Sequence, residues 1–76
     1  MKKCTVRMIW ADGIWYTKAN EDAGFGLTLE SSSFDNLVER VRIAVPEMFE
    51  ESFGYTGEIE IIYQVERSDN VKAASA

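Results

Sequence analysis

Residues 5–11 alternate in polarity, with Val6, Met8 and Trp10 on one side and Thr5, Arg7 and Ile9 on the other. This is the period-two pattern of a strand with two unlike faces. Asp12-Gly13 follows, and a second β-type run covers residues 14–19. Asp-Gly between two such runs predicts a hairpin, because a type I′ turn needs positive φ at both central residues. A two-residue loop sets Ala11 against Ile14, Trp10 against Trp15, Ile9 against Tyr16 and Met8 against Thr17. Val6, Met8, Trp10, Trp15, Thr17 and Ala19 then share the face read as the core side. Arg7, Ile9, Ala11, Ile14, Tyr16 and Lys18 share the other.

Residues 20–24 are polar and end in glycine, a loop. Residues 25–30 predict a third, short strand with Phe25, Leu27 and Leu29 inward, and Gly26 marks a bulge or a close backbone approach. Ser31-Ser32-Ser33 opens a helix: Ser32 or Ser33 can cap its first turn, and Asp35 sits where the helix dipole favours negative charge. Phe34, Leu37, Val38, Val41, Ala44, Val45, Met48 and Phe49 then repeat at helical spacing without a break. Asp35, Asn36, Glu39, Arg40, Arg42, Glu47 and Glu50 take the wet side. Pro46 removes a donor and crowds the carbonyl near Arg42. Because the stripe runs through it, a kink or a restarted last turn is expected, not a stop. Gly54 and Gly57 bracket a turn, and residues 58–66 form a last strand with Ile59, Ile61, Tyr63 and Val65 inward and Glu58, Glu60, Ile62 and Gln64 outward.

The order is β-β-β-α-β, an α+β fold with a four-stranded sheet in the order 3-2-1-4. Three antiparallel strands form a meander, and the helix crosses over to lay the fourth parallel to the first. One helix covers one face and leaves the other open. Residues 1–66 make a single domain, and residues 67–76, small and polar, are expected to be disordered.

A chain of 76 residues buries only about 60% of the surface it exposes when unfolded, so stabilisation from outside matters. Cys4 is the only cysteine and histidine is absent, which leaves no internal disulfide and no zinc-type ligand set. A partner or a second copy remains. The formal charge is −5 and the pI about 4.6, a balance that repels phosphate backbones and favours a basic protein partner. No secretory or membrane-spanning segment is evident, so a cytoplasmic protein is expected.

The residues Trp10 and Trp15-Tyr16, Gly26-Leu27-Thr28-Leu29-Glu30, the run from Phe34-Asp35-Asn36-Leu37 to Val38-Glu39-Arg40-Val41, and Ala44-Val45-Pro46-Glu47-Met48 together resemble a bacterial family of unknown function grouped with the HicB-like antitoxins. The resemblance spans about residues 6–65 and implies a truncated ribonuclease-H-like layout. It also implies a domain that binds and masks a small, basic, RNA-cleaving toxin. The chain departs from the family in its shorter turn after Trp10 and in Phe25, where proline is frequent. Family members bind operator DNA through a separate segment. Too few residues follow Val65 for one, so no direct DNA binding is expected.

An enzyme is not expected. Two-metal nucleases of this layout bring carboxylates from the first strand, the helix and the fourth strand to one point. Here the first strand carries none, Asp12 suits the turn, Glu39 lies on the wet side of the helix, and Glu58 and Glu60 lack converging partners. Cys4 has no base to activate it, and the three serines read as caps. Trp10, Trp15 and Tyr16 could stack single-stranded RNA, but only Arg7 and Lys18 would line such a groove. Core packing explains both tryptophans better. No cofactor or metal is implied. The candidate contact patch is the open face, with Ile9 and Tyr16 as neighbours and Ile62 following on the adjacent strand, ringed by Arg7, Lys18, Glu60 and Gln64; strand edges are a second route. The leading reading is a partner-binding, antitoxin-like domain for a small basic protein. The alternative is a self-associating module, a homodimer built through sheet face or edge, with direct RNA binding third.

Overall fold

The Asp-Gly turn sets the frame. In the computed structural model, which describes residues 1–19 and 26–74, Asp12 has φ 51° and Gly13 φ 80°, the positive pair that a type I′ hairpin requires. It joins β1 (Lys2–Ala11) to β2 (Ile14–Ala19). The register is the expected one: Ala11 pairs with Ile14, Trp10 with Trp15, Ile9 with Tyr16 and Met8 with Thr17. The remaining elements are β3 (Glu30–Ser31), α1 (Phe34–Phe53) and β4 (Ile59–Glu66). They form a four-stranded sheet in the order β3-β2-β1-β4, with β4 parallel to β1 and β3 antiparallel to β2.

Two strand boundaries differ from the sequence expectation. β1 starts at Lys2 rather than near residue 5, because its partner there is β4: Lys2 pairs with Ile59 and Cys4 with Ile61, and Lys2 N–H donates to the Glu58 carbonyl at 3.1 Å. The third strand is much shorter than residues 25–30 and lies at Glu30–Ser31. Residues 26–29 follow β2 without a regular ladder. Thr17 N–H donates to the Leu29 carbonyl at 2.9 Å, the Thr17 hydroxyl donates to the Leu27 carbonyl at 3.2 Å, and Leu29 N–H donates to that hydroxyl at 3.0 Å. A buried threonine thus stands in for a strand rung and holds Leu27 inward, where it is buried. Phe25 and the side chain of Ala19 lie outside the described residues.

Ser33 is the helix N-cap, with its hydroxyl accepting from Asn36 N–H at 3.3 Å, and Asp35 occupies the first turn. The helix runs through Pro46 to Phe53 as one element, with no restarted turn. Pro46 is exposed, so water can reach the Arg42 carbonyl that the ring leaves without a donor. Gly54, at φ 64°, ends the helix. The apolar stripe divides into a fully buried i, i+4 line of Leu37, Val41, Val45 and Phe49 and a half-buried margin of Phe34, Val38, Ala44 and Met48. The buried line packs on Cys4, Val6 and Met8 of β1 and on Leu27.

Two inward assignments need correction. Val65 is 54% exposed; β4 is an edge strand with no further strand beyond it among the described residues. Trp10 is half-buried and outside the core proper. It leans on Trp15, with ring centroids 5.2 Å apart, and Trp15 meets Phe34 edge-on at 4.9 Å. Residues 67–74 carry no regular structure and are exposed, but Arg67 places its guanidinium 5.0 Å from the Trp10 ring centre.

Because the helix is held by its buried line, Leu37→Ala should cost about 2–5 kcal/mol, much of the stability of so small a domain. Ile43→Ala, at a position 63% exposed on the same helix, should stay within about 0.5 kcal/mol. Urea unfolding followed by circular dichroism separates the two outcomes.

Candidate functional site: the open sheet face

Alternation along β1, β2 and β4 leaves one sheet face without a covering layer among the described residues. All six candidate residues stand on it: Arg7 and Ile9 from β1, Tyr16 and Lys18 from β2, Glu60 and Ile62 from β4. The cross-strand register orders them in rows. Tyr16, Ile9 and Glu66 form one row, Lys18, Arg7 and Gln64 the next, and Thr5 with Ile62 the one after.

Ile9 and Tyr16 are paired neighbours, and Ile62 stands on the adjacent strand β4. It pairs with Thr5, four residues from Ile9 along β1, or about 13 Å at about 3.3 Å per residue. Between them lies an ion pair. Arg7 Nε donates to both carboxylate oxygens of Glu66 at 3.2 and 3.1 Å, and its Nη2 donates to Oε2 at 2.8 Å. These hydrogen bonds, and then the Glu66 charge, hold the guanidinium above its ordinary pKa. Gln64 adds a weaker contact to Glu66 Oε1 at 3.4 Å. The polar middle divides the patch in two. One end is apolar: Ile9, Tyr16, Ala11 and Ile14, with Ile14 40% exposed. The other carries Ile62, also 40% exposed, flanked by Glu60 and Lys3, which pair across β4 and β1.

Sequence reading missed two of these features. The Arg7–Glu66 clamp needs the parallel register of β4 on β1, which no local turn dictates. Strand alternation puts Ile14 on this face but does not single it out for the patch; its position beside the exposed turn was the available signal.

Among the described residues, the groups weighed for other chemistries lie apart. Glu39 is exposed and pairs with Arg42 at 3.0 Å, Asp12 is in the turn, and among the described residues no three acidic or thiol groups converge. Trp10 and Trp15 lie on the helix side and Tyr16 on the open side, so the three aromatics do not form one stacking platform. Cys4 is 2% exposed, and burial pushes its thiol pKa up, the reverse of nucleophile activation. Ser31 and Ser33 are engaged at the helix start: Ser33 N–H donates to Ser31 Oγ at 3.1 Å, and Ser31 Oγ donates to Asn36 Oδ1 at 3.2 Å. No helix among the described residues is long and apolar enough to cross a membrane.

Comparison with known proteins places this architecture. Residues 4–73 match the family model described as a domain of unknown function (DUF1902), and the chain belongs to that family. The match reaches past β4 into residues 67–73, so the segment that carries Arg67 is part of the family pattern. No curated protein matches the chain. Among solved structures, the crystal structure of hypothetical protein TTHA1013 from the extremely thermophilic bacterium Thermus thermophilus is similar, with a TM-score of 0.71 and 22% identity over 92% of this chain and 100% of that one. At that identity the likeness is one of fold.

Two chemical readouts follow from the burial. Cys4 should resist thiol reagents in the native protein and react at the rate of a free thiol only after unfolding. Rapid stoichiometric labelling of native protein at neutral pH would contradict its place in the core. The Tyr63 hydroxyl is buried without a hydrogen-bond partner, and desolvation raises its pKa. The folded state therefore holds the phenol proton more tightly than the unfolded state, and stability should fall as pH rises above about 10 toward the raised folded value. Tyr63→Phe should remove that component of the alkaline loss and leave neutral stability unchanged or up to about 1 kcal/mol higher. Denaturant titrations at neutral and alkaline pH measure both.

Proposed function

We propose that this DUF1902 member is a non-catalytic protein-binding domain of HicB-like, antitoxin type that masks a small, basic, RNA-cleaving protein in the cytoplasm. The observation that carries the reading is the uncovered sheet face, whose apolar end of Ile9, Tyr16 and Ile14 adjoins a polar middle on a molecule of charge −5. Apolar anchors within a charged rim are the usual division of labour in a protein interface, with the rim setting approach and partner choice. The sequence resemblance through Gly26-Leu27-Thr28-Leu29-Glu30 and Val45-Pro46-Glu47 supports the same reading, and the acidic balance argues for a basic protein over a nucleic acid.

In this reading Ile9 and Tyr16 enter the partner, while Lys18 and Glu60 stand at the rim. Arg7 is turned toward Glu66, so it steadies the face and is not a free cation for the partner.

Affinity capture from native lysate, with and without nuclease, tests the reading. The expected result is a small basic protein retained in both conditions, whose RNA cleavage the purified chain suppresses. Ile9→Ser with Tyr16→Ser should weaken that complex about 30- to 1000-fold, since two anchor side chains are worth about 1–2 kcal/mol each. Loss of all captured material on nuclease treatment would point to RNA instead, and an unchanged affinity in the double variant would remove the open face from the interface.

A further inference from the structure

The outer edge of β4 is long and, among the described residues, uncovered. Its eight residues contain no proline and no lysine, and its register with β1 runs unbroken from Lys2–Ile59 to Ile9–Glu66, which leaves no room for a bulge. These are the devices that usually blunt an edge. The strand also exposes an apolar side chain on each face, Ile62 at 40% on the open side and Val65 at 54% on the helix side.

Backbone direction follows from the first rung. Lys2 N–H donates to the Glu58 carbonyl, so in a parallel ladder the even-numbered residues of β4 turn their N–H and C=O groups toward β1. Those of Ile59, Ile61, Tyr63 and Val65 point away from the sheet. No strand among the described residues meets them. The chain past β4 does not fold back over them at its start, since Arg67 turns toward Trp10 on β1.

We infer that this edge pairs with the same edge of a second copy, antiparallel, about a two-fold axis at Ile62. The axis sets Ile62 against the second copy's Ile62 and Glu60 against its Gln64 on the open face. On the helix face it sets Ile61 against Tyr63 and Ile59 against Val65. Every apolar side chain of the strand meets an apolar one, and every outward backbone group finds a partner. Moving the axis to Tyr63 would oppose Glu60 to Glu66, and moving it to Ile61 would leave Val65 beyond the end of the pairing. At the chosen axis Glu58, just outside the strand, faces a Glu66 whose charge Arg7 already balances. This self-complementarity commits the edge to a second copy over a foreign strand. The inference does not rest on the masking reading, because it uses the strand edge and leaves the apolar end of the open face free.

The purified chain of residues 1–76, with no other protein present, tests it. Sedimentation should give twice the chain mass of 8.6 kDa at high concentration and the single mass on dilution. The amides of Ile61, Tyr63 and Val65 should exchange more slowly in the concentrated sample. Ile62→Cys should form a disulfide-linked dimer under mild oxidation, since paired residues at a non-hydrogen-bonded site lie about 4.5 Å apart, within disulfide reach. Gln64→Cys, also exposed on the same face, should not, because it meets Glu60. Val65→Pro removes an outward donor and no β1 bond, so it should sediment as a monomer with an unchanged far-ultraviolet spectrum. A chain that stays monomeric at every concentration overturns the inference. So does a dimer that links through Gln64→Cys as readily as through Ile62→Cys.

Discussion

The structure depends on one packing line. Leu37, Val41, Val45 and Phe49 of α1 are buried against Cys4, Val6 and Met8 of β1, and β1 is the strand that binds both the hairpin and the crossover strand. Removing water from this seam is the main favourable term available to a chain with no internal disulfide and no clustered metal ligands among the described residues. Everything else attaches to it. The Asp12-Gly13 turn delivers β2, Thr17 fastens residues 27–29 to β2 by side-chain hydrogen bonds, and the helix carries the chain across to begin β4. Because there is one helix among the described residues, the seam has one side, and the opposite face of β1 and its neighbours goes uncovered.

That geometry explains why the exposed features fall where they do. A strand in the middle of a sheet needs matched partners on two edges, and β1 has them in β2 and β4. β4 has a partner on one edge only, so its second row of backbone groups and its Val65 face outward. On the open face the same parallel register brings Glu66 within reach of Arg7. The bidentate contact ties the end of β4 to the centre of the sheet and spends the charge of both groups on each other. The face is therefore no uniform apolar patch. It is an apolar end beside the hairpin and a second, mixed end beside Ile62, with a neutralised pair between them.

Much of this was legible in the residue pattern, for reasons that can be named. Side-chain alternation and a turn with strict φ demands determine an antiparallel pair residue by residue, so the β1–β2 register followed from Asp12-Gly13 alone. The helix stripe from Phe34 to Phe49 outweighed the local cost of Pro46, which sits on the wet side where its missing donor is cheap. The sheet order followed from connection lengths and handedness. The parallel register of β4 did not, because no tight turn links it to β1, and the Arg7–Glu66 contact and the distance from Ile9 to Ile62 both hang on it. The segment around Leu27 and Leu29 misled for another reason. Its alternation was real, and both residues do turn inward, but the hydroxyl of Thr17 took over bonds that a strand ladder would have made. A side chain replacing a backbone partner leaves no periodic trace.

The marginal size of the domain links its stability to whatever covers it. A ligand that binds only the folded chain adds RT ln(1 + [L]/Kd) to its stability, and a domain with one short core has little of its own to begin with. The uncovered features are not equivalent in this respect. Contact at Ile9 and Tyr16 would bury a face whose backbone is already paired on both sides, so it gains chiefly from apolar area. Contact along β4 would also satisfy outward N–H and C=O groups that otherwise rely on water, and would stiffen the strand that holds the Glu66 side of the clamp. Binding at the edge therefore acts on the order of the sheet, whereas binding at the face acts on what the sheet presents. Both surfaces are built from β1 and its two neighbours, and the Arg7–Glu66 row lies between them.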